Sequence, residues 1–110
     1  MQLPLITVDT HGELSILATP DQVLRLLEAQ DVRDGEFRLF DSAGVEYALW
    51  AETDLSPVEV GAPIGEHPDL VLSIARRYLA GLPAPKRTGP VGLDLRTPED
   101  VSRALWPYAM

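Results

Sequence analysis

Cysteine is absent from this 110-residue chain, which removes disulfides, thiolate nucleophiles and cysteine-based zinc sites together and fits a reducing compartment. Histidine occurs twice, at His11 and His67. Each lies beside turn residues, in no spacing that would put two imidazoles on one metal ion. His11 with Asp9 and Glu13 is the only grouping worth naming as a weak cation site, and it has no second nitrogen or sulfur donor, so no metal and no cofactor are expected. No stretch approaches the roughly 20 apolar residues that a membrane span requires. Met1 is followed by Gln-Leu-Pro-Leu rather than by a basic region and an apolar core, so the expectation is a chain without a secretory signal, acting in the cytoplasm. Positive charge is also scarce: nine Lys and Arg stand against 17 Asp and Glu, for a net charge of -8. Residues 1–69 carry more than the whole of that excess, 14 acids against only Arg25, Arg33 and Arg38, whereas residues 70–110 are net basic. Such a body repels nucleic-acid phosphates and anionic membranes, and it steers basic proteins toward itself. Solubility alone is the plainer account of the same acidity.

What is present is an ordinary globular composition, 45% hydrophobic and 24% charged, enough to bury the core of one domain. Residues 3–8 and 13–18 read as a hairpin around Asp9-Thr10-His11-Gly12. Thr19-Pro20-Asp21-Gln22 reads as a helix start, with Val23, Leu24, Leu26 and Leu27 as the buried face of a helix to about residue 29. After the Asp31-Val32-Arg33-Asp34-Gly35 turn, residues 36–41 and 45–52 flank Ser42-Ala43-Gly44 as a second hairpin. That loop places Leu39 opposite Tyr47 and Phe37 opposite Leu49 on the core side, with Arg38, Phe40, Glu46 and Trp50 on the other face.

Residues 53–69 hold Pro57, Pro63, Pro68, Gly61 and Gly65, so they are read as loop with at most a short edge strand at 58–60. From Pro68 onward Leu70, Val71, Ile74, Ala75, Tyr78 and Leu79 recur at helical spacing until Gly81 and Pro83. Residues 83–92 read as a proline-rich linker. Thr97-Pro98-Glu99-Asp100 opens a final helix that buries Val101, Ala104 and Leu105 and ends at Pro107. The expected architecture is a single α+β domain over residues 1–110: an antiparallel sheet of about four strands with two to three helices packed on one face.

Nothing in the sequence composes a catalytic centre. Ser15, Ser42, Ser56, Ser73 and Ser102 sit in no nucleophile elbow, and neither Gly61-Ala62-Pro63-Ile64-Gly65 nor Gly89-Pro90-Val91-Gly92 ends in the Lys-Ser/Thr of a phosphate loop. An acid/base pair among Asp31, Asp34, Glu36, Glu52 and Asp54 would need a concave pocket lined by at least two of them. The bland reading of those carboxylates is a solvated acidic face. A binding surface is the sharper one: Trp50 and Phe40 on the outer hairpin face beside charges have the anatomy of an interaction hot spot, unless a helix covers them. Trp106-Pro107-Tyr108 is a second aromatic patch, or the lid of a core edge.

The stretch from Asp9-x-x-Gly12-Glu13-Leu14-Ser15 through Glu28-x-x-Asp31-Val32-Arg33-Asp34-Gly35-Glu36-Phe37 to Phe40-Asp41-Ser42-x-Gly44 resembles small bacterial immunity-type proteins encoded beside secreted toxins. That resemblance implies protection of the producing cell by occlusion of a toxin's active site, and no catalytic residues here. The expected partner is thus a cognate, basic toxin domain. It would be bound through Asp31, Asp34, Glu36, Asp41, Glu46, Glu52 and Asp54 with Trp50 as the aromatic anchor, and involve neither nucleic acid nor membrane. A non-toxin interaction or regulatory domain, self-associating as a homodimer, is the alternative.

Overall fold

The computed structural model describes residues 1–82 and 95–110; the linker reading of residues 83–92 therefore lies outside the described residues. Five antiparallel strands form one sheet: β1 (Leu5–Asp9), β2 (Leu14–Leu17), β3 (Phe37–Phe40), β4 (Val45–Trp50) and β5 (Glu59–Glu66). Their spatial order is β2-β1-β3-β4-β5. The helices are α1 (Asp21–Leu26) and α2 (Ala29–Arg33) between β2 and β3, then α3 (Pro68–Gly81) and α4 (Pro98–Leu105), followed by a single 3-10 turn at Trp106–Tyr108. This is the expected α+β class, with five strands in place of about four.

Both faces of the sheet are covered, not one. Successive residues of a strand point to opposite faces, and three strands carry adjacent apolar pairs. Leu5, Leu17 and Leu39 pack with Val23, Leu27, Ala29 and Val32 of the α1–α2 segment. Ile6, Ile16 and Phe40 pack with Val71, Ala75 and Leu79 of α3 and with Val101, Ala104 and Leu105 of α4. Each cluster removes several whole side chains from water, at about 1.5–3 kcal/mol per large aliphatic residue.

The helix expected to run to about residue 29 stops at Leu26, where Leu27 and Glu28 are extended, and a second short helix, Ala29–Arg33, takes up most of the stretch expected as a turn. In an unbroken helix, with about 100° between successive residues, Val23 and Leu27 would share a face while Ala29 and Val32 pointed away from it. The break turns all four inward, and it leaves Leu24 and Leu26, expected in the core, about half exposed. Pro20, not Thr19, is the N-cap and no side chain caps it; Gln22 still reaches back, its Oε1 accepting from the Ala18 and Thr19 N–H groups.

The region after residue 53 holds a longer strand than the expected 58–60. β5 pairs with β4 from Trp50↔Glu59 to Val45↔Glu66, with two register irregularities. Pro63 is accommodated because β5 is an edge strand, where the missing N–H interrupts no further ladder. The second hairpin has the expected loop and the Leu39↔Tyr47 register. Gly44 there adopts φ +93°, and a Cβ on it would collide with the Pro68 backbone at the start of α3.

Candidate interaction surface

The sheet topology sorts the carboxylates by end. β1 and β4 finish at the same end at which β2, β3 and β5 begin, as the pairings Asp9↔Phe37 and Trp50↔Glu59 show. Asp31, Asp34 and Glu36 arrive there through α2 and the turn into β3, and Glu52 and Asp54 through the loop that leaves β4. An ion pair of 2.8 Å between Arg33 and Asp54 ties α2 to that loop. Six of the expected contact residues, Asp31, Asp34, Glu36, Trp50, Glu52 and Asp54, thus gather at one end of the molecule.

The Glu36 carboxyl records that crowding. Its pKa is raised above the ordinary glutamate value, first by the neighbouring Asp31 charge, then by desolvation, with Asp34 adding to the repulsion and His11 opposing it. A surface that holds like charges this close favours a cationic partner that relieves them.

The other two residues are elsewhere and otherwise engaged. Asp41 is 2% exposed and lies at the opposite end of β3. One of its oxygens accepts from the Ala43 and Val45 N–H groups; the other accepts from the Gln2 N–H and, at 3.2 Å, from the Tyr47 hydroxyl. It holds the hairpin turn and the start of the chain. Glu46 takes both nitrogens of the Arg38 fork at 2.8 and 2.9 Å and lies 3.3 Å from His67 Nε2. Its side chain is only 12% exposed, and the Arg38 hydrogen bonds, joined by the Arg38 charge, hold the pKa below the ordinary glutamate value despite partial burial. The Arg38 guanidinium in turn lies 4.9 Å from the Phe40 ring centroid. Asp41 and Glu46 are structural carboxylates.

The two outward aromatics separate. Phe40 is buried beneath α3 and α4, while Trp50 remains 49% exposed. Trp50 sits beside a surface groove of about 460 Å³ lined by Pro20, Asp21, Leu24, Trp50, Glu59 and Val60. Past it the chain makes a turn in which the Thr53 and Ser56 hydroxyls lie 2.7 Å apart, Thr53 Oγ1 accepts from the Leu55 N–H and Ser56 Oγ from the Thr53 N–H. The tip of that pinned turn is Leu55, 98% exposed. Asp21, Leu24, Leu55 and Glu59 were not among the sequence candidates. The Thr53-x-x-Ser56 pattern is a turn signal around an apolar residue, and it was the one available clue to Leu55.

Among the described residues no three His, Cys, Asp or Glu side chains come together as a metal site. At the first hairpin Asp9 Oδ1 instead accepts from the His11 and Glu13 N–H groups, closing the turn. Trp106 is partly exposed, and Tyr108 packs edge-on against Tyr78 with ring centroids 5.9 Å apart, so that patch is a core lid on one side. No helix among the described residues is long and apolar enough to cross a membrane. No family model, no curated protein and no solved structure matches this chain.

Proposed function

We propose that this protein is an acidic binding protein that blocks a basic protein partner, with an immunity-type inhibitor of a toxin domain as the specific form of that activity. The observation that carries the reading is the gathering of Asp31, Asp34, Glu36, Glu52 and Asp54 at one end of the molecule around the half-exposed Trp50 and the presented Leu55. Exposed aromatic and aliphatic anchors in an acidic rim combine fast, steered encounter with a desolvated contact. The resemblance of residues 9–44 to immunity-type proteins supplies the toxin as the expected partner. Action would be by steric cover, with the protein's own side chains taking no part in chemistry and with a cytoplasmic site of action.

Self-association fits less well. Antiparallel pairing of two β5 strands along their full length would set Glu59 opposite Glu66 of the second copy, and like charges directly opposed destabilise a ladder.

The test is capture at low salt from lysate of the source cell, followed by expression of the captured protein alone and together with this chain. A partner that is toxic alone, is neutralised by the parent chain, and is no longer neutralised by Asp31→Asn/Asp34→Asn/Glu36→Gln supports the reading. Recovery of nothing but a stable oligomer of the chain itself would sink it.

A further inference from the structure

We infer that the groove between α1 and the β4–β5 hairpin receives one long basic side chain, an arginine or lysine, of a partner protein. This inference rests on the acidic-surface reading above and gives its groove a ligand chemistry. Three features of the groove correspond to three parts of such a side chain. An alkyl stem is covered best by apolar walls, and Pro20, Leu24 and Val60 provide them. A guanidinium or ammonium head stacks on an aromatic ring, and the half-exposed Trp50 indole borders the same space. The charge asks for carboxylates at the rim, and Asp21 and Glu59 stand there from opposite sides, one at the start of α1 and the other at the start of β5.

Neither carboxylate is taken up by a hydrogen bond or ion pair among the described residues, in contrast to Asp41, Glu46 and Asp54. The groove volume of about 460 Å³ is within the range of small-ligand sites. The edge of the Trp50 indole lies over Gly61: a Cβ there would be in ordinary contact with its Cδ1 at 3.6 Å and tighter, at 3.1 Å, against the Ala48 Cβ. A purely apolar plug would bury Leu24 and Trp50 but strip water from two unpaired carboxylates, which is costly. A basic side chain covers the same apolar area and pairs the charges.

The experiment uses the full chain carrying Trp106→Phe, which leaves Trp50 as the only indole. Three blocked tripeptides, glycine-arginine-glycine, glycine-citrulline-glycine and glycine-norleucine-glycine, are titrated into it and followed by amide and indole NMR shifts. Citrulline keeps the shape of arginine without its charge. The expected result is movement of the Leu24, Trp50 and Val60 signals by the arginine peptide, with about tenfold weaker binding of the citrulline peptide, the equivalent of ~1.4 kcal/mol. Asp21→Asn/Glu59→Gln should bring the arginine peptide down to the citrulline level while leaving the amide spectrum of the fold in place. Equal affinity for all three peptides, or shifts confined to Asp31, Asp34 and Glu36, would overturn the inference. If a captured toxin binds Asp21→Asn/Glu59→Gln as tightly as the parent, the groove inference fails and the inhibitor reading stands. If no toxin is found and the arginine peptide still enters, the reverse holds.

Discussion

Asp41 and Trp50 are nine residues apart and have opposite roles, and substitution separates them. Asp41→Ala would leave the Gln2, Ala43 and Val45 N–H groups without their acceptor in a buried turn, at a cost of about 2–4 kcal/mol in urea unfolding. Trp50→Ala at a half-exposed position should change stability by less than about 1 kcal/mol and act on partner binding instead. Glu36 offers a titration test. An acid whose pKa is raised in the folded state holds its proton more tightly there than in the unfolded chain. Its contribution to stability is therefore least unfavourable below the ordinary glutamate value near 4.5 and becomes unfavourable as pH rises through the raised value. Carboxyl NMR should show Glu36 titrating above the ordinary glutamate value, and Asp31→Asn should bring it down; no movement on that substitution would remove Asp31 as the cause. Docking of a cationic partner should then release protons over the range in which Glu36 titrates, read by calorimetry in buffers of different ionisation enthalpy. Residue type alone put Asp41 and Glu46 on the same footing as Asp31 and Asp34. Yet Asp41-Ser42-Ala43-Gly44 is itself the pattern of an aspartate accepting from its own turn, so its structural role was legible. The Glu46 pairing with His67 was not, because it depends on where β5 delivers residue 67.

At the level of elements, α4 is where local chemistry and structure agree most closely. Thr97 Oγ1 accepts from the Asp100 N–H, and Asp100 Oδ2 accepts in return from the Arg96 and Thr97 N–H groups. Those backbone donors hold the Asp100 pKa below its ordinary value, so its contribution is complete above the unfolded aspartate pKa and is lost as pH falls through the lowered one. Thr97→Ala should cost about 1 kcal/mol in thermal unfolding at neutral pH. Asp100→Asn should flatten the acid limb of the stability curve below about pH 4. α3 was equally legible, since Val71, Ala75 and Leu79 mark a single stripe that the sheet then buries. Two elements were not. The α1–α2 break arises from tertiary demand: Ala29 and Val32 must face the sheet, and no breaker residue at Leu27 or Glu28 announces it. β5 was obscured by Pro63 and its glycines, which an edge position permits: among the described residues no strand pairs beyond it. Cover on both faces could have been read from the adjacent pairs Leu5-Ile6, Ile16-Leu17 and Leu39-Phe40, because such pairs cannot both face one core. Gly44→Ala joins these element contacts to stability: with φ +93° and Pro68 N only 2.6 Å from the new Cβ, the hairpin and α3 must separate. A loss of about 2–4 kcal/mol is expected.

Over the whole molecule the acidic loops collect at one end, while α3 and α4 are balanced, Arg76, Arg77 and Arg103 standing against Asp69, Glu99 and Asp100. Association with a basic partner should therefore slow steeply with added salt while dissociation changes little, as stopped-flow mixing at several ionic strengths would show. An association rate indifferent to salt would count against electrostatic steering. The strand order has a kinetic consequence of its own. β1–β2 is one local hairpin and β3–β4–β5 is a local meander, and among the described residues their strands pair only where β1 lies against β3, from Ile6↔Phe40 to Asp9↔Phe37. Each unit can assemble from neighbouring residues, but the seam must close a loop from Leu17 to Phe37 before either cluster beneath α1–α2 or α3–α4 is complete. The rate at which this chain folds is then the rate at which two preformed halves find that one register. Truncating Thr7 or Leu39 at the seam should retard folding, whereas truncating Val101 on the last helix should mainly hasten unfolding.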